Sequence, residues 1–587
     1  MTSPSEPSPS KVGALLAFAA AAALLLFFSV QWGELQLMTK LHDVRLTTWP
    51  VLGELSASVL WFAVATPALL LLGVALARLA PGVGLKTWLA LRENPERTAL
   101  LLSLGAALLS LLIRTWVTLG ADFTDDERTY LFQAQTLRHF GFSAPMPTPA
   151  AAFENEFVVR AVDGRAAGVF PVGQPLLFAL ASFLGPVWLF QPLWAAGLVW
   201  VTFALARKLT ASLGVAVSAA ALVMASPWLC FISGTQHNAI ASAFFVALAL
   251  WQAARFVERP ALGAALLTGA SIGTAFLVRP LDGLVVGVSV AAWWLTQLWR
   301  TRAVRSVGFM ALGVGAALLV AGVQLASNAT VTGHALSTPY DLWIADKWPG
   351  VHLFGFGKSI WGMVQTPASA VAKTFTVFLR IAAWQAGAPL VFLLSLAGLS
   401  LVREERAVRA LAVPFALLTV GYFFYFFPSV QDFGSLYHLP LLPVLSILAA
   451  LALKRLVGRV PVATVAAMAP ATVLVGVVTF WLPVGERTHF VAQTIVQPVE
   501  LVEEASSGGQ RLLVLVSTLQ GPTRSSFVFR PFYPSGDAAD PVLWARDVVD
   551  PKVRAELLAT YPDRLPVVLK WKGPFEPVLE PAVPPAP

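Results

Sequence analysis

Apolar runs close to 20 residues recur along this chain, each long enough to cross a bilayer core of about 30 Å as a helix. They fall at 12–31, 56–80, 98–120, 188–206, 213–231, 238–254, 262–278, 283–299, 306–325, 386–402, 411–427, 438–453 and 461–482. In lipid every backbone polar group must be satisfied within the segment, so such runs fold as helices. The expected fold is an all-α polytopic membrane protein with about thirteen transmembrane helices. Composition agrees: 57% of the 587 residues are hydrophobic and only 12% are charged, against about 25% charged in soluble domains. The net charge of +8 does not point to nucleic acid, because the basic residues sit in short clusters between apolar runs. The single cysteine, Cys230, lies inside an apolar run, which excludes an intrachain disulfide and argues against a Cys-based metal site.

The basic clusters orient the chain. Arg78, Lys86, Arg92 and Arg97 form the first, then Arg207 and Lys208, Arg255 and Arg259, Arg300, Arg302 and Arg305, Arg403, Arg406 and Arg409, and Lys454, Arg455 and Arg459. With thirteen spans and the N-terminus inside, all of these fall in the cytoplasm, as the positive-inside rule requires. This places the chain in the cytoplasmic (inner) membrane with its C-terminus outside. Residues 1–11 read as a disordered cytoplasmic tail, 12–97 as two additional N-terminal spans with 12–31 a signal anchor, and 98–483 as the main membrane domain. Residues 484–575 read as a small extracytoplasmic α/β domain, with strands at 512–518, 526–532 and 566–571 and a helix at 551–561. A disordered Pro-rich stretch is expected over 576–587. The segment 169–185 would invert every later cluster if it crossed. It is short and opens with Pro171 and Pro175, so it reads as a half-inserted juxtamembrane helix at the outer surface.

This topology puts all seven histidines and all the aspartates outside or at outer helix ends. Acid/base chemistry therefore belongs on that face. The first large outer loop, 121–168, opens with Asp122 and the run Asp125-Asp126-Glu127, just before a helical apolar rhythm. Those acids suit the positive end of a helix dipole; equally, they suit a functional cluster just above the bilayer. The second, 326–385, interleaves aromatic residues with Asp341, Asp346, Lys347, His334, His352 and Lys358, as an interfacial belt or a sugar-stacking surface would. Thr235, Gln236, His237 and Asn238 form a polar knot at a span start. Arg279 and Asp282 flank a tight turn, either as an ion pair or with Arg279 free to hold phosphate oxygens in a bidentate fork.

In their order these segments resemble the GT-C glycosyltransferases, nearest the protein O-mannosyltransferase and aminoarabinose transferase branch. The residues that carry the resemblance are Asp126-Glu127-Arg128-Thr129-Tyr130 opening the first loop, FPVGQPLL (170–177), GASIGTAFLVRP (269–280), NATVTG (328–333) and Leu436-Tyr437-His438-Leu439-Pro440-Leu441-Leu442-Pro443. The last lacks the Arg that usually precedes the Tyr, and His438 stands as its replacement. The likeness covers 98–453. It implies transfer of a sugar from a polyprenyl phosphate to an acceptor, protein, lipid or glycan, without a cofactor and without a metal, although the acids offer hard oxygen ligands for one. Asp126 is then the general base, Asp125 its substitute, and Glu127 holds the acceptor or orients the base. Arg279, Lys347, Lys358 and His438 are the cations for the departing lipid phosphate, with Tyr130 and His237 completing the binding set. Two other readings stand beside it. A secondary transporter would need mid-span charge, of which Arg114 and Arg380 are the candidates. A catalytically idle relative would organise an envelope assembly.

Overall fold

The computed structural model describes residues 11–26, 49–80, 82–301, 304–427, 430–431, 433–517, 540–573 and 576–582. Among them, eight helices are long and apolar enough to cross a membrane, or ten if each of two bent pairs is one span. The eight are Ser58–Leu79, Pro95–Val117, Val187–Thr210, Ala239–Glu258, Pro280–Trp299, Arg305–Thr332, Arg406–Phe424 and Thr464–Ser506. The expected thirteen shrinks for local reasons. The 213–231 run breaks at Pro227, into Leu213–Met224 and Pro227–Ser233 at 51° to each other. The 386–402 run forms Pro389–Arg403, folded back by 116° on Pro367–Trp384. Proline cannot donate a hydrogen bond and disfavours a helical residue before it, so each break falls at a proline. Leu262–Val278 and Leu441–Val457 reach only 17 residues each, about 26 Å of helix. The 461–482 run is absorbed into a helix that continues to Ser506. Of the 12–31 run, Lys11–Leu26 is an apolar helix and 27–31 lies outside the described residues. The 169–185 segment holds one nine-residue helix, Gly173–Ala181, about 14 Å long and too short to span.

Small residues set how closely these helices approach. A Cβ on Gly269 would stand 1.8 Å from the Gly313 carbonyl oxygen, and one on Gly398 2.1 Å from that of Leu448. Van der Waals contact between backbones is a main source of cohesion where lipid already satisfies apolar surface.

The two ends of the bundle differ chemically. At one end Arg207 pairs with Glu96, Lys208 with Glu258, and Arg455 with Glu404. The helices that leave this end arrive at the other among Asp122, Gln236, Asn238, Arg279 and Tyr422. Asp122, Asp282 and His237 therefore lie opposite the arginine-rich turns.

The C-terminal unit is a four-stranded sheet in the order Glu576–Pro581, Leu565–Gly573, Leu512–Val516, Val542–Arg546. Leu512–Val516 runs parallel to both neighbours and is buried along its whole length, as expected of a strand covered on both faces. One face packs on Val499 and Val502 of the long helix. The other packs Leu513, Leu515, Ala545 and Val568 against Phe132, Phe153 and Val158 of the first large loop. The unit thus braces the loop that carries the acids. The stretch from 576 is not all irregular, as its prolines suggested: Glu576–Pro581 forms an antiparallel edge strand, where a missing N–H is tolerated. The 526–532 strand and 583–587 lie outside the described residues.

Candidate active site

The Asp125–His139 helix begins where Thr124 turns extended (φ −136°, ψ 152°), with three acids in its first turn. These acids have separate fates. Glu127 is 0% exposed. Its Oε1 accepts from the Phe123 backbone N–H at 3.2 Å and the Thr124 hydroxyl at 3.4 Å, and its Oε2 accepts from the Gln236 N–H at 2.8 Å. Gln236 in turn donates its amide to Asp122 at 3.0 Å, and the Arg128 Nε lies 3.8 Å from the same carboxylate. Glu127 is therefore a clasp joining the helix start to the 234–238 turn. Burial, then the nearby Asp122, raises its pKa.

Asp126 points elsewhere. Its Oδ2 lies 3.9 Å from His237 Nε2, and its side chain keeps 30% of its surface accessible. The surrounding protein, then the charge of Asp125, push its pKa up to about 7, while Arg279 opposes the shift. The accessible third tempers the push without reversing it. His237 is driven down to about 3 by burial and then by Arg279, so it faces Asp126 as a neutral imidazole, beyond hydrogen-bond length. Its ring meets Tyr130 edge-on at 6.3 Å, and Tyr130 packs on Phe170 at 5.1 Å. Gln133 ties the helix to the 170–177 motif by donating to the Phe170 carbonyl at 2.9 Å.

Arg279 follows the last turn of Leu262–Val278 and is 6% exposed. Its Nε donates to Asn238 Oδ1 at 2.9 Å, its Nη1 to the Leu436 carbonyl at 2.7 Å, and its guanidinium carbon sits 4.9 Å from the Tyr437 ring centre. The structure thus brings Asp126, His237, Asn238 and Arg279 into one group from segments far apart in sequence. Asp282 is not the hydrogen-bond partner of Arg279; it accepts from Ser242 and Tyr422.

The other expected cations fare differently. Lys347 is held by Glu156, 3.5 Å from its carboxylate and 3.1 Å from its carbonyl oxygen. Lys358 is exposed on a two-residue strand, Gly357–Lys358. Among the described residues, no hydrogen bond or ion pair joins either lysine to the Asp126–Arg279 group. His438 is beside that group, its Nδ1 2.8 Å from Ser435 Oγ. Burial first, then Lys373 and Arg279, drive its pKa down to about 3. It is neutral at ordinary pH and as a charge does not replace the missing Arg.

Sequence reading missed two features here. Lys373, inside the Pro367–Trp384 helix, donates to the Phe423 carbonyl at 3.1 Å, to Gln365 Oε1 at 3.3 Å and to the Tyr425 carbonyl. Five of the seven tyrosines, Tyr130, Tyr340, Tyr422, Tyr425 and Tyr437, also converge on this region. Such a wall combines apolar faces with hydroxyl tips. The lysine sits in an amphipathic stretch with nothing local to mark it. The tyrosines come from four separate segments that only the fold unites.

No family model matches the sequence, and no curated protein matches it. Solved structures do. ArnT from Cupriavidus metallidurans bound to undecaprenyl phosphate superposes with a TM-score of 0.52 at 14% identity, covering 80% of this chain and 93% of that one. The same protein in the apo state gives 0.46 at 13%, covering 80% and 92%. An oligosaccharyltransferase from Archaeoglobus fulgidus gives 0.38 at 13%, covering 73% and 61%. At these identities the first match speaks for the fold alone. The chain shares the fold of that ArnT structure.

Proposed function

We propose that this chain is a membrane glycosyltransferase that moves a sugar from a polyprenyl-phosphate donor to an acceptor hydroxyl. The observation that carries the reading is the pairing of Asp126, a solvent-reachable carboxyl with a pKa pushed up to about 7, with the buried cation Arg279 at the same end of the bundle. An acceptor hydroxyl is a poor nucleophile until a base takes its proton, and a base with a pKa near the working pH does so best. Asp126 takes that proton as the hydroxyl oxygen attacks the sugar carbon, with inversion. The bond to the phosphate oxygen breaks and its electrons leave with the lipid phosphate. Arg279 stabilises that departing charge. Asp125 tunes the base, Glu127 anchors its helix, and Tyr130 and His237 wall the sugar. The chemistry needs no cofactor. That the relative ArnT was solved with undecaprenyl phosphate bound supports a donor of this kind.

Transfer of radiolabelled sugar from polyprenyl phosphates in membranes separates this reading from a transporter or an idle assembly protein. Only the ionised carboxylate can accept a proton, so kcat/KM for transfer should be lost as pH falls below about 7 and reach a plateau above it. A rate that is flat from pH 5 to 9, or no transfer at any pH, overturns the base assignment or the enzyme reading respectively.

The acid-bearing end faces out of the cytoplasm in this proposal, with the arginine-rich end inside. The one native cysteine, Cys230, is buried, so an introduced thiol reports alone. Val162 is 65% exposed on the acid-bearing loop. A V162C variant should react with a membrane-impermeant maleimide in intact cells; labelling only after lysis reverses the orientation.

A further inference from the structure

Asp282 lies in the first turn of the Pro280–Thr301 helix with no exposed surface. A carboxylate inside an apolar bundle is costly unless its oxygens are answered. Two hydroxyls answer them. Ser242 donates to Oδ2 and Tyr422 to Oδ1, each at 2.6 Å, the length of a charge-assisted O–H···O bond. The hydrogen bond to Asp282 anchors the hydroxyl end of the Tyr422 side chain. Its ring stacks on Tyr437 with centroids 5.0 Å apart and planes 9° apart. Tyr437 in turn carries the Arg279 guanidinium. Two prongs of Arg279, Nε and Nη1, are pinned by Asn238 and Leu436. The third, Nη2, makes no hydrogen bond among the described residues.

We propose that Asp282 is a positioning residue: through the Tyr422–Tyr437 stack it holds the Arg279 guanidinium in place, with Nη2 left for a phosphate oxygen of the lipid donor. It is also the nearby negative charge that makes a buried guanidinium tolerable. The inference rests on the reading of Arg279 as the phosphate cation. The chain of contacts has a clear direction. Asp282 reaches Arg279 through one aromatic pair, and no step requires Asp282 to touch the donor. Three helices contribute: Ser242 from Ala239–Glu258, Asp282 from Pro280–Thr301 and Tyr422 from Arg406–Phe424. Their relative placement is thereby linked to the aim of one guanidinium.

The test is direct binding of undecaprenyl phosphate, with undecaprenol as the uncharged control, to the full-length protein in lipid nanodiscs. Asp282→Asn and Tyr422→Phe should each weaken undecaprenyl phosphate binding about tenfold, the scale of one hydrogen bond to a charged group. The double variant should be no worse than either single one, because both cut the same chain. Affinity for undecaprenol should not move, which a merely structural role would not spare. Tyr422→Phe keeps the ring and removes only the hydroxyl, so it keeps the test open if Asp282→Asn fails to fold. Unchanged phosphate affinity in folded variants overturns the inference, as does equal weakening toward undecaprenol. Arg279→Gln is run alongside. If it weakens binding and the Asp282 and Tyr422 variants do not, the positioning role falls alone; if none of them weakens binding, the phosphate reading of Arg279 falls with it.

Discussion

Asp126→Asn is expected to slow sugar transfer by about 10²–10⁴-fold, the usual contribution of a positioned general base, with expression and membrane insertion intact. The substitution conserves shape. The Asp126 carboxylate stands 3.9 Å from His237 Nε2, beyond hydrogen-bond length, and keeps 30% of its surface accessible, so the amide finds solvent where the carboxylate did. The scaffold around it is held by Glu127, whose three donors are untouched. Donor binding should survive, because Arg279 is anchored by Asn238 and Leu436 rather than by Asp126. The expected signature is therefore a collapse of kcat with little change in donor KM. A companion variant separates chemistry from simple loss of charge. Asp125 raises the Asp126 pKa, so Asp125→Asn should move the acidic limb of the pH profile to lower pH while leaving transfer largely intact. Undiminished transfer by Asp126→Asn defeats the assignment. Loss of transfer in Asp125→Asn alone would hand the role of base to Asp125.

How much of this was legible before folding depends on the range of the interaction. Segregated charge is written locally, so the opposition of acid-bearing and arginine-rich ends could be read from Arg207, Arg255 and Arg455 on one side and Asp122 and Asp126 on the other. The spacing of apolar runs revealed a helical membrane bundle. It did not reveal where Pro227 and Pro389 would break it, because the bends of 51° and 116° depend on what each half packs against. Asp126 and Arg279 were legible as candidates through motif order. Their nearness was not, since it passes through His237 and Asn238. Glu127 was legible only in part: a carboxylate in a first helical turn looks available, and only the Gln236 N–H, 109 residues away, shows which segment it holds. Lys347 and Lys358 were plausible by charge and sidedness alone. Lys347 found Glu156 nearer, and Lys358 lies on an exposed hairpin. The Pro-rich end read as irregular because proline rarely enters strands; an edge position, visible only once the sheet is assembled, removes that objection.

Arg279→Lys is the sharper test of the leaving-group half of the mechanism, because it preserves charge and removes geometry. Arginine makes two directed bonds here, to Asn238 at 2.9 Å and Leu436 at 2.7 Å, and lies on the Tyr437 ring. A lysine ammonium is a compact, strongly hydrated point charge without a planar fork. Its three donors radiate from one nitrogen and do not reproduce the spread of Nε, Nη1 and Nη2. If the guanidinium stabilises the phosphate charge that grows as the sugar departs, Arg279→Lys should lower kcat/KM for the donor by about 10²–10³-fold, the range found for removing one transition-state donor. Arg279→Gln should fall at least as far and should lose undecaprenyl phosphate binding as well. The contrast with Asp126→Asn is what makes the pair informative. The base variant should bind donor and fail in chemistry, whereas the arginine variants should fail in both, with the acceptor KM unchanged. Were Arg279→Lys to transfer at the parent rate, a bare positive charge would suffice at this position. The directed fork would then serve only to brace the Asn238 and Leu436 segments, and the phosphate contact would have to be sought at Lys373, the other cation beside His438.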